Sequence, residues 1–193
     1  MKRTRTRPTV RMAVLTGVLL AWPAAGWSAD YTGMGGTHQA AAGKSHRSTT
    51  NFVKEAAEGG MAEVKLGQLA QQKAASPDVK AFGQRMADDH GKVNDELHRL
   101  AADENVPLPK GLDSKHQALY DRLSKLSGHQ FDQMYMSEMV KDHKADIAEF
   151  QKAAHSSDPQ VKAFASKTLP TLEDHLREAQ QVASATQSHT PTR

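Results

Sequence analysis

Apolar residues recur every three or four positions through most of the chain, which is the spacing of amphipathic α-helices. No segment shows the sustained alternation of apolar and polar residues that is typical of strands, so we predict an all-α fold. Ser76 can cap a helix whose first residue is Pro77, and Pro159 stands at the start of the last helix. Pro170 lies inside that last helix and predicts a kink there. The pattern predicts four long helices and one short helix, over residues 51–74, 77–104, 114–126, 129–154 and 158–185.

A weak internal repeat organises these helices into two pairs. The segment SPDVKAF at 76–82 recurs as SDPQVKAF at 157–164, and each copy opens the second helix of a predicted hairpin. A long connection, which contains the short helix, separates the two hairpins. Two helical hairpins joined by one long crossover form a ferritin-like four-helix bundle, which we predict over residues 50–184.

The first 29 residues have the pattern of a secretory signal peptide. Five basic residues precede an apolar stretch from Met12 to Trp22, and small residues follow up to Ala29. A retained membrane anchor is the alternative, but the apolar stretch is shorter than the roughly 20 residues of a membrane span and ends at Pro23. We therefore expect a periplasmic or secreted protein without a membrane span in its mature form. Its polar composition predicts a flexible leader at 30–49 and a disordered tail at 185–193.

Charge and cysteine content exclude several classes of function. The chain has 25 Lys and Arg against 22 Asp and Glu, and five of the basic residues lie in the signal-like segment. The remainder is therefore slightly acidic and shows no clustered basic face for nucleic acid, which we exclude as a partner. The chain has no cysteine, so disulfides and thiolate metal sites are also excluded.

Each long helix carries one residue of a metal-ligand type on its apolar stripe. Glu63 lies 11 residues after Phe52, which returns it to the same helix face. The three histidines obey the same spacing with respect to their neighbouring apolar residues, and all four residues lie near the middle of their helices. We therefore predict that the following residues meet at one level inside the bundle: Glu63, His90, His143 and His175.

Two interpretations of this group stay open. In the first, three neutral imidazoles and one carboxylate bind a single zinc or copper ion. In the second, Glu63 accepts hydrogen bonds from one or two histidines, and no metal is involved. The aspartates that directly precede the histidines, at 89, 142 and 174, point away from the stripe and could orient a histidine on another helix. Five methionines near this level fill the core or, alternatively, provide thioethers that favour copper(I).

Several segments resemble the bacterial domain of unknown function 4142 family, which belongs to the ferritin-like superfamily. The resemblance covers about residues 51–184 and rests on FVKEAAEGGMAEVKLGQLA, VKAFGQRMADDHGKVNDEL, FDQMYMSEMVKDH and DPQVKAFASKTLPTLEDHLREA. It implies export and no settled activity. Di-iron members of the superfamily use Glu-x-x-His motifs. Here Ala87, Val140 and Leu172 stand three residues before the histidines, which disfavours a di-iron cofactor.

The sequence favours a metal-binding bundle of uncharacterised activity. The alternative is a non-catalytic module for interactions or stress in the cell envelope, which predicts an exposed apolar patch near Leu119 and Leu123. Protein partners are not identified by any motif. An enzyme is the least favoured class, because the chain has neither an evident nucleophile–base pair nor a glycine-rich phosphate loop.

Overall fold

The computed structural model describes residues 36–188. The predicted signal peptide, the first residues of the predicted leader and residues 189–193 of the predicted tail lie outside the described residues. Within the described part every regular element is a helix, which confirms the all-α prediction. The helices are α1 (Gly36–Lys73), α2 (Pro77–Asp103), α3 (Ser114–Ser124), α4 (Gly128–Ala153) and α5 (Pro159–Ser188).

The helices form two hairpins joined by the crossover that contains α3. α1 packs most extensively on α2, and α4 packs most extensively on α5. The carboxylate of Asp132, in the first turn of α4, accepts hydrogen bonds from the amides of Ala75 and Ser76 at 3.1 and 2.9 Å. The start of α4 is therefore fixed beside the turn between α1 and α2. The crossover consequently spans the length of the bundle, and α4 runs in the same direction as α2.

The predicted flexible leader is wrong for residues 36–49, because α1 begins at Gly36 rather than near Asn51. The few large apolar residues there suggested disorder, but the run of alanines at 40–42 is strongly helix-forming. Thr49 is buried, and its hydroxyl donates to the carboxylate of Asp158 at 3.0 Å. That hydrogen bond joins α1 to the start of α5.

The predicted disordered tail is wrong for residues 185–188, which continue α5 to Ser188. Thr186 is buried, and its hydroxyl donates to the carbonyl of Ala183 at 2.8 Å. A polar composition alone therefore does not indicate disorder in a segment that continues a long helix.

Two apolar clusters form the core, one toward each end of the bundle. The cluster near the α1–α2 turn includes Leu66, Phe82 and Tyr135, and the cluster at the opposite end includes Phe52 and Leu97. Both clusters draw residues from all four long helices. Between the two clusters, each long helix contributes one buried polar side chain: Glu63, His90, His143 and His175.

The short helix α3 does not present the apolar patch that the interaction hypothesis predicted. Leu119 is 5% exposed and Leu123 is fully buried, because both pack into the core cluster near the α1–α2 turn. The expectation of an exposed patch at these residues is therefore wrong. Among the described helices, none combines the length and the apolar character that a membrane crossing needs.

Candidate metal centre

Three histidines from three different helices meet in the polar layer between the two apolar clusters. His90 on α2, His143 on α4 and His175 on α5 are each at most 5% exposed. One ring nitrogen of each histidine lies within 4.8 Å of the corresponding atoms of the other two. The ring centroids are 5.7, 5.4 and 5.4 Å apart, so the imidazoles form a nearly equilateral triangle.

The hydrogen bond of His143 fixes which of its nitrogens is free. Its Nδ1 lies 2.9 Å from the carbonyl oxygen of Met139, one turn earlier on α4. A carbonyl oxygen can only accept, so Nδ1 carries the proton, and in the neutral ring Nε2 carries the lone pair. That Nε2 is buried and has no hydrogen-bond partner among the described residues. His143 therefore offers one unoccupied donor atom.

His175 is bonded through its other ring nitrogen, Nε2, to a carboxylate on another helix. Its Nε2 lies 3.1 Å from Oδ2 of Asp89, which leaves its buried Nδ1 without a partner in the described part of the chain. Asp89 is held in turn by Arg85, one turn earlier on α2, and Arg85 also pairs with Glu178 on α5. The prediction that such an aspartate orients a histidine on a neighbouring helix is thus confirmed for Asp89.

The environment of the histidines keeps all three imidazoles neutral. Burial lowers the pKa of His90 well below its ordinary value, and the positive charges that His143 and His175 would carry lower it further. Burial and the neighbouring His175 lower the pKa of His143 to about 4, against the opposing effect of the Met139 carbonyl. Burial also lowers the pKa of His175, although the hydrogen bond to Asp89 opposes this shift. Neutral imidazole is the form that binds metals.

His90 completes the triangle with a third nitrogen that lacks a partner. Its Nε2 is buried, and no described residue forms a hydrogen bond with it. Each of the three histidines thus has one buried nitrogen without a partner among the described residues. Leaving a buried polar atom unsatisfied costs about 1–3 kcal/mol, and a purely structural network would be expected to satisfy such atoms.

Glu63 lies beside this triangle but outside it. Its Oε1 is 3.9 Å from Nδ1 of His143, which is too long for a hydrogen bond and involves the nitrogen that already donates to Met139. The buried Oε2 has no partner among the described residues. Burial raises the pKa of Glu63 well above its ordinary value, with smaller effects from Asp146 and Asp142. The structure therefore brings together three of the four predicted ligands.

The other side chains that the sequence singled out have simpler surroundings. Asp174 is half exposed and pairs with Arg177 on its own helix. Met86, Met136 and Met139 are fully buried in the apolar cluster near the α1–α2 turn, where they fill the core.

One group of residues near the centre was predicted only in part, since the sequence singled out Asp142 but neither Asp146 nor Glu149. Asp142, Asp146 and Glu149 follow one another at helical spacing along α4, and they face Glu55 and Glu63 of α1 across a cleft. The spacing of the three acids on α4 was the available signal. An acidic stripe is common on solvated helix faces, so only the packing of α1 against α4 reveals that it lines a cleft.

Comparisons with known proteins identify the domain without assigning an activity. The sequence profile of the family DUF4142, described as a domain of unknown function, matches residues 35–182. Among solved structures, the chain is similar to the crystal structure of a DUF305 fragment from Deinococcus radiodurans, with a TM-score of 0.64 and 14% identity. The similarity covers 72% of this chain and 96% of that fragment, and at this identity it concerns the fold alone. A comparison with curated proteins found no match.

Proposed function

The chain belongs to the DUF4142 family, whose description names no activity, and we propose from the site itself that this protein binds one divalent transition-metal ion through His90, His143 and His175. Zinc and copper are the ions that a set of neutral imidazoles suits. The observation that carries this proposal is the convergence of three buried ring nitrogens, one from each of three helices, within 4.8 Å.

The dimensions of the triangle suit a small cation. Imidazole nitrogens bind zinc at about 2.0–2.1 Å, which sets them roughly 3.4 Å apart around a tetrahedral ion. In the structure the three ligand nitrogens lie within 4.8 Å of one another. Small rotations of the rings would bring them to the shorter separation that coordination requires. A fourth position would remain for water or for another ligand, as in zinc sites with three protein ligands.

Two of the three histidines make the hydrogen bond that is usual for metal-binding histidines. Such a histidine donates its second ring N–H to a carbonyl or carboxylate, which fixes the ring and its tautomer. The Met139 carbonyl has this role for His143, and Asp89 has it for His175. The donated protons direct the lone pairs of both rings away from these acceptors.

The test is the metal content of protein purified without a histidine tag. We expect about one zinc or copper ion per chain. A free metal concentration of 100 times the Kd should stabilise the native state by about 2.7 kcal/mol. His90→Gln and His143→Gln should lose the ion and the stabilisation. The matched control is His98→Ala, since His98 is exposed on the same helix as His90 and should bind like the wild type.

Circular dichroism of each variant separates loss of the ligand from loss of the fold. A wild-type protein that contains no metal, and whose melting temperature does not change with added zinc or copper, would contradict the proposal. The three histidines would then form a neutral structural cluster.

We also propose that this binding takes place outside the cytoplasm. The support is the sequence of residues 1–29, in which basic residues precede a short apolar stretch and small residues follow it. An exported site without cysteine would bind its ion through imidazoles, which are not subject to the oxidation that affects thiolates.

A further inference from the structure

An acidic cleft lies between α1, α4 and the start of α3. Its volume is about 260 Å³, and seven carboxylate residues line it, six of them on α1 and α4: Glu55, Glu58, Glu63, Asp142, Asp146 and Glu149. The remaining charged or titratable groups in its wall are Asp113, Lys115 and His116, all on or before α3. Carboxylates therefore far outnumber basic groups in this cleft.

A small cavity lies between this cleft and the histidine centre and shares part of its wall with the cleft. The cavity measures about 20 Å³ and has His90 in its wall. Glu55, Gly59, Asp146 and Glu149 line both the cavity and the cleft. A Cβ built on Gly59 would meet no atom within 4 Å, so the missing side chain leaves open space where the two volumes adjoin.

Several side chains that line these volumes carry buried atoms without a hydrogen-bond partner among the described residues, and two of them belong to the predicted ligands. His90, which lines the cavity, has its Nε2 unpaired, and Glu63, which lines the cleft, has its Oε2 unpaired. Both side chains are at most 5% exposed. The acidic cleft therefore adjoins a cavity whose wall contains His90, a histidine of the proposed metal centre with an unpaired Nε2.

Burial and mutual repulsion destabilise the ionised form of acids in this cleft. Burial, with the charge of Asp142, raises the pKa of Asp146 to about 7. Burial, with the charges of Glu55 and Asp146, raises the pKa of Glu149 to about 7. Carboxylates that repel each other in a half-buried cleft do not stabilise the fold, so their presence calls for a partner of opposite charge.

The opposite side of the centre has a different charge pattern. There Arg85 bridges Asp89 and Glu178, and a shallow surface pocket beside it also contains Arg177. Each of these arginines is paired with a carboxylate, Arg177 with Asp174 and Arg85 with Glu178, and the Arg85 pair joins α2 to α5.

We propose that the acidic cleft is the route by which a divalent transition-metal cation reaches the histidine centre, an inference that rests on the proposed function. Carboxylates concentrated in a cleft raise the local concentration of cations and their rate of association. The passage beside Gly59 then leads the ion to His90.

The test measures the association of Zn²⁺ with the purified protein by stopped flow, using a chromophoric zinc indicator at pH 8, which is above the pKa of about 7 of Asp146 and Glu149. In the variant Glu55→Gln/Glu149→Gln, we expect the association rate constant to fall roughly threefold to tenfold at low salt. The difference should disappear near 1 M salt, where exposed charges are screened. Asp95→Asn/Asp103→Asn is the control with the same charge change, on exposed residues of α2.

A second variant tests the passage without changing any charge. Gly59→Leu fills the open space, so association and dissociation should slow by the same factor, roughly tenfold, while the Kd stays unchanged. Gly91→Leu is its control, since a Cβ at Gly91 also meets no atom within 4 Å and the residue lines neither volume. If wild-type protein binds zinc and both test variants bind it at the wild-type rate, the route is wrong and the proposed function stands. If wild-type protein takes up neither zinc nor copper, both proposals fail.

Discussion

At the scale of single residues, Asp89 is the side chain that connects the histidine centre with the surface. It receives the hydrogen bond of His175 and the charges of Arg85 and Lys92. Burial alone would raise the pKa of Asp89, but the hydrogen bonds from His175 and Lys92 outweigh burial and lower it. Asp89 is therefore a carboxylate at neutral pH, and it can hold the Nε2 proton of His175.

Asp89→Ala should weaken zinc binding by about tenfold to a hundredfold without removing a ligand, because His175 would lose the acceptor that fixes its tautomer. Equilibrium competition with a zinc indicator measures the change. Asp88→Ala is the control, since Asp88 bonds only the exposed Gln84 on its own helix. Wild-type affinity in Asp89→Ala would show that the hydrogen bond does not orient the ligand.

The sequence was informative about which residues converge and uninformative about how they are bonded. Helical spacing placed three histidines and Glu63 on inward faces, and all four are buried. Spacing along one helix does not determine the rotation of a side chain, so it could not show that Glu63 stands beside His143 rather than in the triangle. Whether the histidines bind a metal stays a prediction.

At the scale of the helices, the first hairpin depends on the close approach of α1 and α2. A Cβ on Gly67 would lie 2.4 Å from the carbonyl oxygen of Gly83, and a Cβ on Gly83 would lie 2.7 Å from Cβ of Ala70. These contacts involve backbone and short side chains, which cannot rotate away. The two glycines therefore set the distance between the two helices that carry Glu63 and His90.

Gly67→Ala should destabilise the protein by roughly 1–3 kcal/mol, since α1 and α2 must move apart to admit the methyl group. Gly91→Ala, at an open helical position, should be neutral or stabilising by up to about 1 kcal/mol. Urea denaturation of the two variants measures both free energies. Equal stability of the two variants would contradict the tight packing at Gly67.

Most helix boundaries followed from local sequence, and the exceptions follow from tertiary contacts. The start of α2 at Pro77 and that of α3 at Ser114 agree with the capping residues Ser76 and Asp113. The extensions of α1 and α5 were missed because their composition is polar, although each contains one buried threonine. Thr49 and Thr186 are buried by contacts that no local pattern contains.

At the scale of the whole molecule, the proposed export would set the compartment in which the centre meets its ion. Expression in a bacterial host with a periplasm should yield a processed chain that begins near Asp30, because small residues at 24–29 follow the apolar stretch. Mass spectrometry of the periplasmic fraction measures the new terminus. An intact Met1 in washed membranes would contradict cleavage and indicate a retained anchor.

The polar layer that separates the two apolar clusters has a consequence for cooperativity. Each cluster is a short bundle of its own, and little apolar surface joins the two across the histidines. Local unfolding of one end would therefore break few contacts in the other end. The two halves should then unfold almost as separate cooperative units. An ion held by α2, α4 and α5 at the boundary would be lost when either half opened, and its binding free energy would couple the opening of the two ends.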